Sequence, residues 1–298
     1  SYTLARDLTA FAALRFVQGA FVCGVGVSSR VLARTAFPKG GRAFGVWWMV
    51  PAAAGLIGPT VGGYAALTSY NLAFYIATAA ASVACLLSLG APSPRSTNPA
   101  VRVEKTEGWN AREKTALIVT SSSVIVPHFL LFAYRTFVPV FAKESPKFLM
   151  NPVEIGLVFT AYGVVGLFAP LLFGELSDRI GRKKIILLGM VLQALSFLLL
   201  PVISGIMALG LTAVVMSFGN AAVNPPMMAL LTDNISASKH GLALGLYGAG
   251  EDIGIWIGPL VVGYVYQNYG AESSFYTTAG LMFLSTVLSV LLLRKIER

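Results

Sequence analysis

A chain of 298 residues that is 56% hydrophobic and only 12% charged lacks the polar surface of a water-soluble body, in which about a quarter of residues carry charge. Its formal net charge of +9 does not point to nucleic acid, because the basic residues sit in short breaks between apolar blocks. Cys23 and Cys85 both fall inside apolar blocks, and with His128 and His240 as the two histidines there is no disulfide framework or metal-ligand cluster. A phosphate-binding loop, a zinc-hydrolase histidine pair and a nucleophile elbow are all missing from the sequence, so an enzyme is not expected and no cofactor is called for.

In chain order, nine apolar stretches reach the roughly 20 residues that cross a bilayer core: 8–30, 44–67, 71–91, 115–141, 153–173, 185–204, 207–231, 242–265 and 273–293. Lipid satisfies no backbone polar group, and runs this long are helices, not the alternating ten-residue strands of a barrel. One set of breaks is basic: Arg30 to Arg42, Arg95 to Lys114, Arg179 to Lys184, Lys239, and Arg294 to Arg298. The other set carries almost no basic residue, Lys143 and Lys147 being the exception, with Glu144 and Glu154 close by. The bias predicts that the first span runs outside to inside and that the C-terminus is cytoplasmic. The longest polar stretch, 92–114, with Pro92, Pro94 and Pro99, reads as a cytoplasmic linker. Ser1 is not an initiator methionine, and we expect preceding spans to be missing.

A shift of 200 residues superimposes Gly41 on Gly241, Gly45 on Gly245, Ile57-Gly58-Pro59 on Ile257-Gly258-Pro259, and Gly63-Tyr64 on Gly263-Tyr264. The first three spans therefore correspond to the last three, and a complete two-fold molecule would need three more at the N-terminus. This divides the chain into a partial bundle over 1–91, the linker over 92–114 and a six-helix bundle over 115–298.

Between two spans lies Gly174-Glu175-Leu176-Ser177-Asp178-Arg179-Ile180-Gly181-Arg182-Lys183. It resembles the loop signature G-x-L-x-D-R-x-G-R-[KR] of the major facilitator superfamily, and Leu14-Arg15-Phe16-Val17-Gln18-Gly19 resembles the family's fourth-helix motif. Gly55-Leu56-Ile57-Gly58-Pro59-Thr60-Val61-Gly62-Gly63 resembles the fifth-helix motif of its drug/proton antiporter branch, with Ala54 at the first glycine. The resemblance covers nearly the whole chain. It implies an all-α membrane protein of the major facilitator fold, with about nine of an expected twelve spanning helices in two pseudo-symmetric bundles. It also implies a secondary active transporter moving small organic compounds by alternating access.

Site expectations follow from both readings. Gly174, Asp178, Arg179, Gly181 and Arg182 form a conformational latch by the resemblance. Gly58, Pro59, Gly62 and Gly63, with Gly258 and Pro259 in the second half, pack helices closely. Arg15, Glu251 and Asp252 are charges at membrane depth, costly enough to mark either a coupling site for a proton or other cation or a structural ion pair of an acid with Arg15 or Arg135. Gln18, His128, Tyr134, Arg135, Asn220 and Asn224 fall on helices expected to line a central cavity, and Pro225-Pro226 is expected to open its helix. The expected partners are the lipid bilayer, a small-molecule substrate and a coupling cation, without nucleic acid. The expected form is a monomer in the plasma membrane. An importing facilitator or symporter for a sugar or organic anion, and a non-transporting receptor or scaffold, stay open as alternatives.

Overall fold

The structure, a computed structural model, describes residues 8–36, 40–89 and 108–296. Most of the expected linker, 92–107, lies outside the described residues. The helices are α1 (Leu8–Ala36), α2 (Gly40–Thr68), α3 (Tyr70–Leu89), α4 (Ala111–Ser123), α5 (Ile125–Glu144), α6 (Pro152–Ile180), α7 (Arg182–Leu199), α8 (Ile206–Asp233), α9 (His240–Tyr269) and α10 (Ala271–Leu293). No strand occurs among the described residues. By length and composition alone, four stretches among them suffice to cross a bilayer: Ala111–Glu144, Val153–Ile180, Ile206–Asp233 and Ala271–Ile296.

The repeat read from the sequence reappears in the element boundaries. α2 begins at Gly40 and α9 at His240, while α3 begins at Tyr70 and α10 at Ala271. The stretch expected as one span over 115–141 is instead two helices meeting at Val124. Pro127 is the cause: it has no N–H to give the Ser123 carbonyl, and its ring crowds that carbonyl. The ladder resumes at once, with His128 N–H donating to the Val124 carbonyl at 3.2 Å. Conversely, Pro225 and Pro226 do not open α8, which runs unbroken from Ile206 to Asp233. In place of the expected opening, the packed neighbours of a fully buried segment hold it helical.

By packing, the chain forms two compact units. One comprises residues 1–26 and 57–108, and within it α3 contributes a row of exposed apolar side chains, Val83, Leu86 and Leu87 among them. The other comprises 27–56 and 109–298, so the end of α1 and the start of α2 pack with the C-terminal helices. Its core is large and apolar, with Phe44, Tyr134, Phe197, Met216, Tyr247 and Phe275 wholly buried.

Close helix contacts in this unit rest on glycine. Gly250, Gly254 and Gly258 recur every four residues along α9, and a methyl group on any of them would run into the backbone of Ser121, Ile125 or Phe129. Gly41 and Gly174 touch in the same way where α2 crosses α6. Outside the spans, Glu113 in the first turn of α4 ties three segments. It accepts from Asn110 N–H at 3.1 Å, from Ser236 Oγ at 2.7 Å and from Lys239 Nζ at 2.7 Å. Lys239, expected to be a loop charge that only sets orientation, is thus buried and paired.

Two substitutions in α9 separate close packing from helix propensity. Gly254→Ala pushes a methyl into the α5 backbone and should destabilise by about 1–3 kcal/mol. Gly245→Ala, with no neighbouring atom within 4 Å, should be neutral or slightly stabilising. Unfolding midpoints of the two variants in detergent check this, and equal midpoints would refute it.

Candidate functional site

Helices α1, α5 and α9 bring three ionisable side chains together in a dry interior. Arg30 on α1 reaches Glu251 on α9, with Nη2 2.6 Å from Oε2. The arginine side chain is 13% exposed and the glutamate 4%, so the pair has almost no water to screen it. On the other side of the carboxylate, His128 Nε2 lies 3.4 Å from Oε1. Tyr247, one turn before Glu251, is wholly buried and its hydroxyl has no hydrogen-bond partner; Arg30 Nε and Glu251 Oε1 have none either.

The second half-shell of this cluster comes from α2. The Arg30 guanidinium stacks on the Trp47 ring at 4.9 Å, and Trp47 Nε1 donates to Ser29 Oγ at 2.9 Å. Gly248 faces Arg30 directly, since a β-carbon there would come within 3.1 Å of Nη1.

The tautomer of His128 follows from its other ring nitrogen. Nδ1 lies 3.2 Å from the Val124 carbonyl, which can only accept, so Nδ1 carries a hydrogen. In the neutral ring Nε2 then presents a lone pair to Glu251 Oε1. Two lone pairs at that distance repel unless a proton sits on one of them. Glu251 is thus held at one oxygen by Arg30 and faces His128 with the other.

A second polar constellation joins α2, α6, α7 and α8. Asp178 Oδ1 accepts from Gly41 N–H and Oδ2 from Arg42 N–H, both at 3.2 Å. These are free N–H groups at the start of α2, where a carboxylate also meets the positive end of the helix dipole. Arg182 bridges Asp178 at 2.8 Å and Asp233, at the end of α8, at 2.6 Å. Gly181, with φ 103°, makes the left-handed turn that brings Arg182 back onto Asp178. Glu175 pairs loosely with Arg42 at 3.5 Å, and Arg179 is exposed.

The remaining candidates are scattered. The side chains of Arg15, Gly58, Pro59, Gly62 and Gly63 lie outside the described residues. Gln18 is exposed, and Asp252, next to Glu251, is exposed too. Gly258 packs on Phe129, and Pro259 follows it half-buried. Tyr134, expected on a cavity wall, belongs to the bundle core: it is wholly buried, its hydroxyl is 3.2 Å from Thr212 Oγ1, and its ring packs edge-on against Phe159 and Phe197. Asn224 is buried and donates to Asn220 Oδ1 at 2.6 Å. Arg135 is exposed and lies beside the rings of Phe132 and Tyr162. Sequence reasoning missed Arg30, Asp233 and Glu113, each of which was read as a loop charge or not singled out.

Asp178→Asn removes the charge that holds both Arg182 and the start of α2. We expect a cysteine at Ala43, buried in this contact, to react several-fold faster with a membrane-impermeant thiol reagent in that variant, native Cys23 and Cys85 having been replaced. An unchanged rate would show that Asp178 does not hold α2 in place.

Comparison with known proteins comes to the same fold by another route. A family model described as Major Facilitator Superfamily matches residues 1–148 and again 128–298. Multidrug resistance protein MdtG of Proteus mirabilis is 25% identical over 96% of this chain and 72% of its own length. The human MFS-type transporter SLC18B1 is 25% identical over 70% of this chain and 46% of its own. Among solved structures, the human organic anion transporter MFSD10 (TETRAN) superimposes with a TM-score of 0.75, covering 97% of this chain and 72% of that one at 19% identity, a likeness of fold.

Proposed function

The chain belongs to the Major Facilitator Superfamily, and from that premise we propose that it is a proton-coupled exporter of small organic compounds working by alternating access. The observation that carries the reading is the buried Arg30–Glu251–His128 cluster, because it joins a helix of the first repeat to two helices of the second. A scaffold has no use for such charges at membrane depth, where each is costly to insert. The multidrug resistance name of MdtG supports export of organic compounds in preference to uptake of one nutrient.

The cycle assigns each group a task. With Glu251 ionised, Oε2 holds Arg30 and α1 stays against α9. Protonation of the His128–Glu251 pair takes charge from the carboxylate and weakens its hold on Arg30. Two unit charges at 4 Å interact by about 4 kcal/mol at an effective dielectric constant of 20. That is roughly a thousandfold in a two-state equilibrium, enough to reverse which face is open. Of the three coupling candidates, Glu251 takes the role. Asp252 points to a different face of α9 about 100° away. The Asp178 latch acts on the side marked cytoplasmic by the basic loops and keeps that side shut while Arg30 is held.

Reconstituted into proteoliposomes, the transporter should move an organic dye against its gradient when a pH gradient is imposed, and the movement should collapse when the gradient is dissipated. Glu251→Gln should abolish the response to pH, leaving at most exchange that is indifferent to it. Transport that ignores the imposed pH gradient in the unsubstituted protein would rule out proton coupling.

A further inference from the structure

Arg135 has no part in the coupling cluster, yet it sits in the same helix at membrane depth. It lies six residues inside the expected end of its span, or about 9 Å by helical rise. Among the described residues no carboxylate pairs with it. Its exposed guanidinium lies instead over two rings, 5.7 Å from the Phe132 centroid and 5.4 Å from that of Tyr162. The hydroxyl of Tyr162, a residue only 7% exposed, also has no hydrogen-bond partner.

The direction of the side chain excludes the simplest alternative. An arginine near a span's end commonly turns its head to the nearer lipid headgroups. Here Phe132 lies one turn before Arg135, on the side away from that end of α5, so the guanidinium turns back into the membrane. His128, Phe132, Arg135 and Pro139 follow one another at four, three and four residues, which places them along one face of α5. The lower end of that face meets Arg30 and Glu251. Arg135 therefore lies on the same face of α5 as His128, about two turns from the coupling cluster.

The charge on this face does not balance. Arg30 and Arg135 contribute two fixed positive charges, and Glu251 supplies one negative charge already engaged by Arg30. An exposed guanidinium with no carboxylate partner among the described residues is suited to a bidentate anion. Flanking ring faces suit a flat, apolar body joined to that anion. We propose that Arg135, with Phe132 and Tyr162, forms the anion subsite of the substrate, and that the transported compounds are planar organic anions bearing a carboxylate or sulfonate. The inference rests on the reading of the chain as a transporter and adds the charge and shape of its cargo.

Binding and movement are measured separately on the transporter in lipid, with carboxyfluorescein as the anionic probe and ethidium as the cationic one. Fluorescence anisotropy should show saturable binding of carboxyfluorescein that Arg135→Gln weakens at least tenfold and Arg135→Lys weakens less, with ethidium affinity unchanged or improved. Glu251→Gln should still bind the anion, since it removes coupling and not the subsite. If carboxyfluorescein binds through Arg135 but is not moved in proteoliposomes, the subsite stands and the exporter reading fails. If ethidium binds and moves while carboxyfluorescein does neither, or if Arg135→Gln leaves carboxyfluorescein binding unchanged with both variants folded to the parental unfolding midpoint, the anion subsite is wrong.

Discussion

Lipid gives a polar group nothing to bond to, so a charge buried within the span of this protein is costly unless another part of the chain meets it. The ion cluster at Glu251 can exist only because α9 comes close enough to α5 for their backbones to touch. Gly250, Gly254 and Gly258 allow that approach, and the first two flank Glu251 on the contacting side. The same absence of a side chain at Gly248 leaves room for the Arg30 guanidinium to enter from α1. The glycines of α9 are therefore part of the electrostatics: they set the distances at which the arginine, the carboxylate and the imidazole meet.

The two polar constellations act on one short piece of chain. Residues 27–56 carry Arg30, which Glu251 holds, and Gly41 and Arg42, which Asp178 holds. Inside that piece, the Trp47–Ser29 hydrogen bond and the stacking of Arg30 on Trp47 brace α1 against α2. A braced pair moves as a unit more readily than two separate helices do. In the proposed cycle, release of Arg30 and release of the Asp178 contact are then successive parts of one displacement. The bracing contacts supply the physical link that two distant sites would otherwise lack.

Much of this architecture was legible in the sequence because it depends on local rules. Apolar runs gave the spans, and the glycine and proline matches at one offset gave the repeat that α2 and α9 reproduce. The Asp178 loop announced itself by residue types whose geometry is fixed by a tight turn and a helix start. What stayed hidden was tertiary. The first span is expected over 8–30, but the helix continues to Ala36, with Arg30 inside it and paired to Glu251. Glu251 could be suspected from its depth, whereas its pairing with Arg30 depends on how α1 and α9 cross. Tyr134 misled for the converse reason: its hydroxyl finds Thr212 inside the bundle, so a polar atom there needs no cavity. Pro127 interrupts its helix at Val124, within a stretch still long enough to span, and the Pro225-Pro226 pair does not interrupt its own. A proline's effect depends on how firmly the surrounding helices hold the chain, which no local pattern records.

The adjacent acids of α9 show how the packing chooses between near-equals. Glu251 lies on the face that carries Tyr247, Gly254 and Gly258 and is buried, while Asp252 faces outward and is exposed. An exposed carboxylate can keep its charge whatever its neighbours do. A buried one cannot: if Arg30 leaves, Glu251 is an uncompensated charge in low dielectric, which is a costly state. The position of α1 is therefore tied to this carboxylate, since α1 can move away only if Arg30 gives up Oε2. A buried acid whose two oxygens answer to different helices links the packing of α1 to that of α5 with no further device.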